Sequence, residues 1–170
     1  ANAQIAIINS GSIRGDLDYS AGSPITRETI ANELPFRGMI ALIEVSGATL
    51  VRAMENAVSA LDVYKGRFAQ ISGMAVVFDS REPVGQRIKS IKVNGQDIKL
   101  TQMYTVATTD YLVSGGDGYA VFKSVKKLGA KHLAIRLVSD IVTDNITRDK
   151  MLSPSVDGRL VDIKAKINEK

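Results

Sequence analysis

The chain has no cysteine. Disulfides and thiol nucleophiles are therefore excluded, and that absence suits cytosol and periplasm alike. Histidine occurs once, as His132. Acid–base and metal chemistry need partnered side chains, and no His-x-x-His pair, Asp/His set or metal-ligand spacing accompanies it. Neither a Gly-x-Ser-x-Gly elbow nor a serine triad can be assembled around one imidazole. No catalytic residue and no metal site can be named, and the chain reads as a binder rather than a reactor. No apolar run approaches the ~18 residues of a membrane span. Lys and Arg are scattered, without a long basic block. The net charge is +4 and the pI about 9.3. That balance fits an anionic small molecule, and nothing in it asks for a nucleic-acid polymer.

At 170 residues with 45% hydrophobic and 24% charged content, the chain is expected to form one domain with a proper core. It enters an apolar run by Ile5, without a Met start or signal peptide. This predicts a fragment of a longer polypeptide, cut on its N-terminal side. Ile5 to Ile8 reads as a buried strand. Arg27 to Glu33 reads as a short helix with Thr26 as N-cap and Glu28 near its positive end. Leu34-Pro35-Phe36 ends it, because proline disfavours helical geometry in the residue before it. Met39 to Val45 is a second strand. Leu50, Met54, Ala57, Val58 and Leu61 form the apolar stripe of a helix from Ala48 to Leu61. Strands are expected at Gly73–Phe78 and Arg87–Val93, and Asn94-Gly95 predicts a type I′ hairpin. Tyr104 to Thr108 is a further strand. A helix is expected over Lys131–Arg148, with His132 near its start, and a final edge strand at Gly158–Ile163. Strands and helices interspersed with a hairpin favour an α+β fold, a mixed sheet with packed helices.

Three stretches offer binding chemistry. Asn9 to Gly15 follows a strand, and its backbone N–H groups could converge on an anion, with Arg14 as a planar donor. An exposed arginine in an ordinary loop is the plainer alternative. Phe36 sits between proline and Arg37-Gly38, off the apolar face of any helix. Aromatics are few, four Phe and five Tyr, so a ring in a loop is informative, although aromatics usually bury themselves. Gly115-Gly116-Asp117-Gly118 is good turn chemistry in its own right. It also places an acid six positions after Tyr111. Two rings from distant loops could sandwich a flat base, at ~1–3 kcal/mol for each ring. With an acid for a ribose diol and an arginine for a phosphate, the parts add up to a nucleotide site.

Four motifs in order, Asn9-Ser10-Gly11-Ser12-Ile13-Arg14, Leu34-Pro35-Phe36, Gly66-Arg67-Phe68-Ala69-Gln70-Ile71-Ser72-Gly73 and Gly115-Gly116-Asp117-Gly118-Tyr119, resemble the C-terminal domain of the 5′-nucleotidases. That group includes UDP-sugar hydrolases and 2′,3′-cyclic-nucleotide phosphodiesterases. The resemblance runs from about Ile5 to Ile163. It implies a substrate-recognition domain whose partner is an N-terminal metallophosphatase domain of the same polypeptide. That domain would carry two divalent metal ions and perform the hydrolysis, with domain rotation delivering the nucleotide to them. It also implies a periplasmic, secreted or cell-surface setting, and a chain that is catalytically silent by itself. No cofactor is expected in this chain.

Carried over by residue, the resemblance implies that Asn9 and Arg14 contact ribose or phosphate, that Phe36 and Tyr111 stack on either side of the base, and that Asp117 holds the ribose hydroxyls. Gly11, Gly38, Gly115, Gly116 and Gly118 would let the backbone approach the ligand, and Gly66–Gly73 would border the site. The family's second ring is usually Phe, where this chain has Tyr111. After Leu-Pro-Phe the family often has Gly followed by Asn or Gly, where this chain has Arg37-Gly38. Further phosphate-binding arginines of the family lie upstream of the first motif. The alternative reading is a free-standing domain that binds a nucleotide or a partner without hydrolase activity.

Overall fold

The computed structural model of the chain describes residues 3–63, 65–129 and 136–164. Alternation sets the first strand, whose residues Ile5, Ile7 and Asn9 turn to the interior while Ala6 and Ile8 do not. In chain order the elements are β1 (Ile5–Asn9), α1 (Arg27–Glu33), β2 (Ile40–Ser46), α2 (Gly47–Ala57), β3 (Ala69–Ser72), β4 (Met74–Phe78), β5 (Ile88–Val93), β6 (Gln96–Asp97), β7 (Met103–Thr109), α3 (Asp110–Val113), β8 (Lys126–Lys127), α4 (Val138–Asp149) and β9 (Leu160–Asp162). The mixed-sheet expectation holds, and the strands divide between two sheets. One runs β3-β1-β7-β2-β8 and the other β6-β5-β4-β9. Each contains one parallel pair, β1 with β7 and β4 with β9.

A single residue, Gly73, carries the chain from β3 in the first sheet to β4 in the second. Its φ is +77, and a Cβ there would lie 2.0 Å from the Gln4 carbonyl oxygen. Only glycine tolerates both demands. Read from sequence, Gly66–Gly73 bordered a site; the structure makes its second half an edge strand, with Ala69 opposite Asn9.

Between the sheets lies α2, capped by Ser46, whose side chain accepts from the Thr49 N–H. Its buried face (Leu50, Ala53, Met54 and Ala57) joins Ile43 and Val106 of one sheet to Val76 and Ile91 of the other in one core. The helix is shorter than its stripe suggested and ends at Ala57. On the far side of the five-stranded sheet α1 packs against α4. Thr26 caps α1 in a reciprocal capping box with Thr29. The Asn94-Gly95 turn has φ of +51 and +78, as a type I′ hairpin requires. The last strand, β9, is an edge strand. Helix α4 covers Val138–Asp149, and residues 131–135 of the expected helix lie outside the described residues. His132 and Leu133 lie outside the described residues.

Candidate functional site

Strand pairing brings the three binding stretches to one end of the five-stranded sheet. β1 and β7 are parallel, so Asn9 and Asp110 leave the sheet at the same edge. β2 runs antiparallel to β7 with Ile40 opposite Thr109, which returns the Phe36–Met39 segment to that edge. The Met39 N–H donates to Asp110 Oδ1 (3.1 Å), and the Asp110 N–H donates to the Met39 carbonyl (2.9 Å). β3 pairs with β1 so that the preceding Gly66 also arrives there, and the Gly11 N–H donates to its carbonyl at 2.9 Å. The result is a cavity of about 530 Å³ with Asn9, Arg14, Phe36, Tyr111 and Asp117 in its wall, together with Gly11 and Gly38. Phe36 is 52% exposed and Tyr111 48%. Large rings left half open at a concave surface are unusual against the tendency of aromatics to bury.

Asp117 is held from several sides. Its backbone sits in the left-handed region at φ +50, a conformation that aspartate tolerates better than most non-glycine residues. The Asn56 side chain of α2 donates to its carbonyl at 3.1 Å. Asn9 Nδ2 donates to Oδ2 at 2.6 Å, and the Tyr111 hydroxyl donates to Oδ1 at 3.0 Å. Each carboxylate oxygen thus has one donor. A carboxylate offers about four acceptor sites, so each oxygen keeps capacity for a further donor such as a diol. The hydrogen bond to Asp117, with lesser burial and charge effects, raises the Tyr111 phenol above its ordinary range. Burial does the same to Tyr119, which stacks on Phe122 at 5.6 Å and donates to the Arg67 carbonyl at 2.8 Å.

The structure gives several predicted residues partners within the protein. Asn9 is buried, and its amide donates to Asp117 and accepts from the Ser12 hydroxyl at Oδ1, which leaves one N–H and one acceptor site to spare. It orients the acid. The amides of Asn9–Gly15 do not form an anion cradle. Those of Ser10, Gly11, Ile13, Arg14 and Gly15 already donate to Phe68, Gly66, Ser10 and, in the last two cases, Glu33. Arg14 lies over the Phe36 ring, 5.3 Å from its centroid, with Nε donating to the Gly11 carbonyl at 2.8 Å. Gly116 backs Tyr111 instead of facing the cavity, since a Cβ on it would lie 2.4 Å from the tyrosine Cζ. That close approach docks the ring on its own loop. Gly115 and Gly118 serve the turn, with φ of +91 and +82.

Ser12, Asn56 and Thr109 have no assigned role in the sequence, whereas Gly66, expected at the border of the site, lines the cavity. Thr109 caps α3 by accepting from the Leu112 N–H and lines the cavity. A threonine directly before Asp110-Tyr111 is a cap signal that points to it. Asn56 has no such signal, because its partner is 61 positions away. Among the described residues no group of three or more His, Cys, Asp or Glu side chains is placed to hold a metal ion, and no helix is long and apolar enough to cross a membrane.

Comparison with known proteins places this geometry in context. A family model described as 5′-nucleotidase, C-terminal domain, matches residues 1–124. The chain is 31% identical over 167 residues to the 5′-nucleotidase of Bos taurus, covering 94% of this chain and 29% of the bovine protein. It is 31% identical over 169 residues to the snake venom 5′-nucleotidase of Naja atra, covering 94% of this chain and 31% of that protein. The crystal structure of a 5′-nucleotidase precursor from Thermus thermophilus matches with a TM-score of 0.84 at 27% identity, over 93% of this chain and 31% of that one. The chain spans under a third of the length of these relatives.

Proposed function

The chain belongs to the family of 5′-nucleotidase C-terminal domains, and from that premise we propose that it is the nucleotide-recognition domain of a 5′-nucleotidase-type phosphoric ester hydrolase. A base stacks between Phe36 and Tyr111. Its ribose hydroxyls donate to Asp117, which Asn9 and Tyr111 hold in place. Arg14 supplies the cation nearest the ring and swings from Phe36 toward ribose or phosphate as the ligand enters. The observation that carries this reading is the convergence of Asn9, Phe36, Tyr111 and Asp117, from three separate segments, on one cavity of about 530 Å³.

Hydrolysis belongs, in this reading, to an N-terminal metallophosphatase domain of the same polypeptide, where two divalent ions activate water and polarise the phosphoryl group. This chain binds and orients the substrate and is silent by itself. Support comes from the relatives, each about three times as long as the stretch they share with this chain. A secreted, periplasmic or cell-surface setting is supported by the snake venom relative.

Calorimetric titration with adenosine and AMP tests the pocket. Phe36→Ala and Tyr111→Ala should each weaken binding by roughly 5- to 150-fold, the equivalent of ~1–3 kcal/mol of stacking. Unchanged affinity in both variants removes the sandwich. AMP turnover by the purified chain with added divalent metal, surviving purification controls, would contradict its silence.

A further inference from the structure

The nucleotide cavity has two ends. At one it meets a smaller cavity through Gly11 and Gly66, and at the other it meets the groove between α1 and α4 through Phe36 and Arg37. Asp117 belongs to the first end, since a Cβ on Gly66 would lie 3.3 Å from its Oδ2. A nucleoside with its ribose on Asp117 and its base between the rings therefore carries the outer edge of the base toward Arg37, at the end the cavity shares with that groove. The phosphate, carried by the ribose, stays at the opposite end. Arg37 is exposed and makes no hydrogen bond, ion pair or ring contact with any described residue. Its fork of donors stands ready beside a slot for a flat ring.

A guanidinium accepts nothing, so it discriminates among base edges. Guanine and hypoxanthine present O6 and N7 side by side, two acceptors that match the fork. Adenine places an amino donor next to N7, which opposes one arm. Resting on the nucleotide reading above, we propose that Arg37 is a specificity residue that reads the O6/N7 edge of a 6-oxopurine and favours guanine-type over adenine-type ligands.

The test titrates the 170-residue chain and its Arg37→Met variant with guanosine, adenosine, GMP and AMP. Met keeps the length of the stem and removes the fork. The unmodified chain should bind guanosine more tightly than adenosine by about 5- to 150-fold, the range of one bidentate arginine–guanine contact. Arg37→Met should abolish that preference by weakening guanosine while leaving adenosine unchanged. Equal affinities in the unmodified chain, or a preference that survives in the variant, overturn the proposal. So does a variant in which GMP and AMP weaken together while both nucleosides hold, because that places Arg37 on the phosphate. If neither nucleoside nor nucleotide binds the unmodified chain, the nucleotide reading itself fails and takes this inference with it.

Discussion

The two walls of the cavity are built differently. Tyr111 and Asp117 form a wall braced from behind. The ring rests on Gly116, its hydroxyl binds Oδ1, and the Asp117 N–H returns a hydrogen bond to the same hydroxyl at 3.2 Å. Asn9 and Asn56 hold the acid from two further elements. The facing wall is Phe36, which is 52% exposed and whose ring lies under the Arg14 guanidinium. One wall is set before a ligand arrives and the other has room to adjust. Preorganising the polar wall limits the ordering cost where hydrogen-bond geometry is demanding. Stacking tolerates an adjustable ring, because a π-face has no single bonding direction.

The braced wall should fail most severely when its backing is changed. In Gly116→Ala the new methyl must push the Tyr111 ring aside, since it starts 2.4 Å from Cζ. Both hydrogen bonds of the hydroxyl are then lost, at about 1 kcal/mol each. The expected outcome is a stability loss of about 2 kcal/mol in urea unfolding, together with at least a roughly tenfold loss of nucleoside affinity. A variant of unchanged stability would show that the ring is not braced by its loop.

Tyr111→Phe is a smaller break of the same wall. It keeps the ring and removes the hydroxyl, so stability should fall by about 1 kcal/mol with stacking retained. The pH dependence gives it a sharper signature. The hydrogen bond to Asp117 raises the Tyr111 phenol above its ordinary value of 10.0. The unfolded chain therefore loses this proton at lower pH than the folded one. The hydroxyl's contribution is fully present below about pH 10 and is lost as pH rises through the higher folded value. The stability gap between the parent chain and Tyr111→Phe should be flat from about pH 7 to about 9.5 and should shrink above about 10. A gap that widens there contradicts the hydrogen bond as drawn.

The contrast between walls also explains what was legible in the sequence. Features with local causes were readable: the Thr26 cap, the Asn94-Gly95 hairpin and the strand β1. The residues of the pocket were readable as residue types, because an acid among glycines and a ring beside proline are local oddities. Their connections were not. Nothing near Asn9 in the chain announces that its amide holds Asp117, 108 positions away. The loop amides look free until Phe68, Gly66 and Glu33 are found to accept from them. Gly73 looks like the first residue of a strand, and its role as a switch between sheets depends on how close it lies to Gln4. Pairing partners distant in the chain decide these points, and no local pattern encodes them.

The open wall provides the smallest effect and the cleanest separation of binding from folding. With about half of the residue in solvent and Met39, three positions on, anchored independently by Asp110, Phe36 contributes little to the fold. Phe36→Ala should change unfolding stability by no more than about 0.5 kcal/mol, the usual range for surface substitutions. The same variant should lose roughly 5- to 150-fold in nucleoside affinity, because the exposed face is the one a base would cover. Urea unfolding and calorimetry on one preparation give both numbers. A loss of stability as large as that of Gly116→Ala would mean that Phe36 is a packing residue, and the difference between the walls would vanish. Affinity falling while stability holds would make Phe36 a ring kept exposed for a ligand.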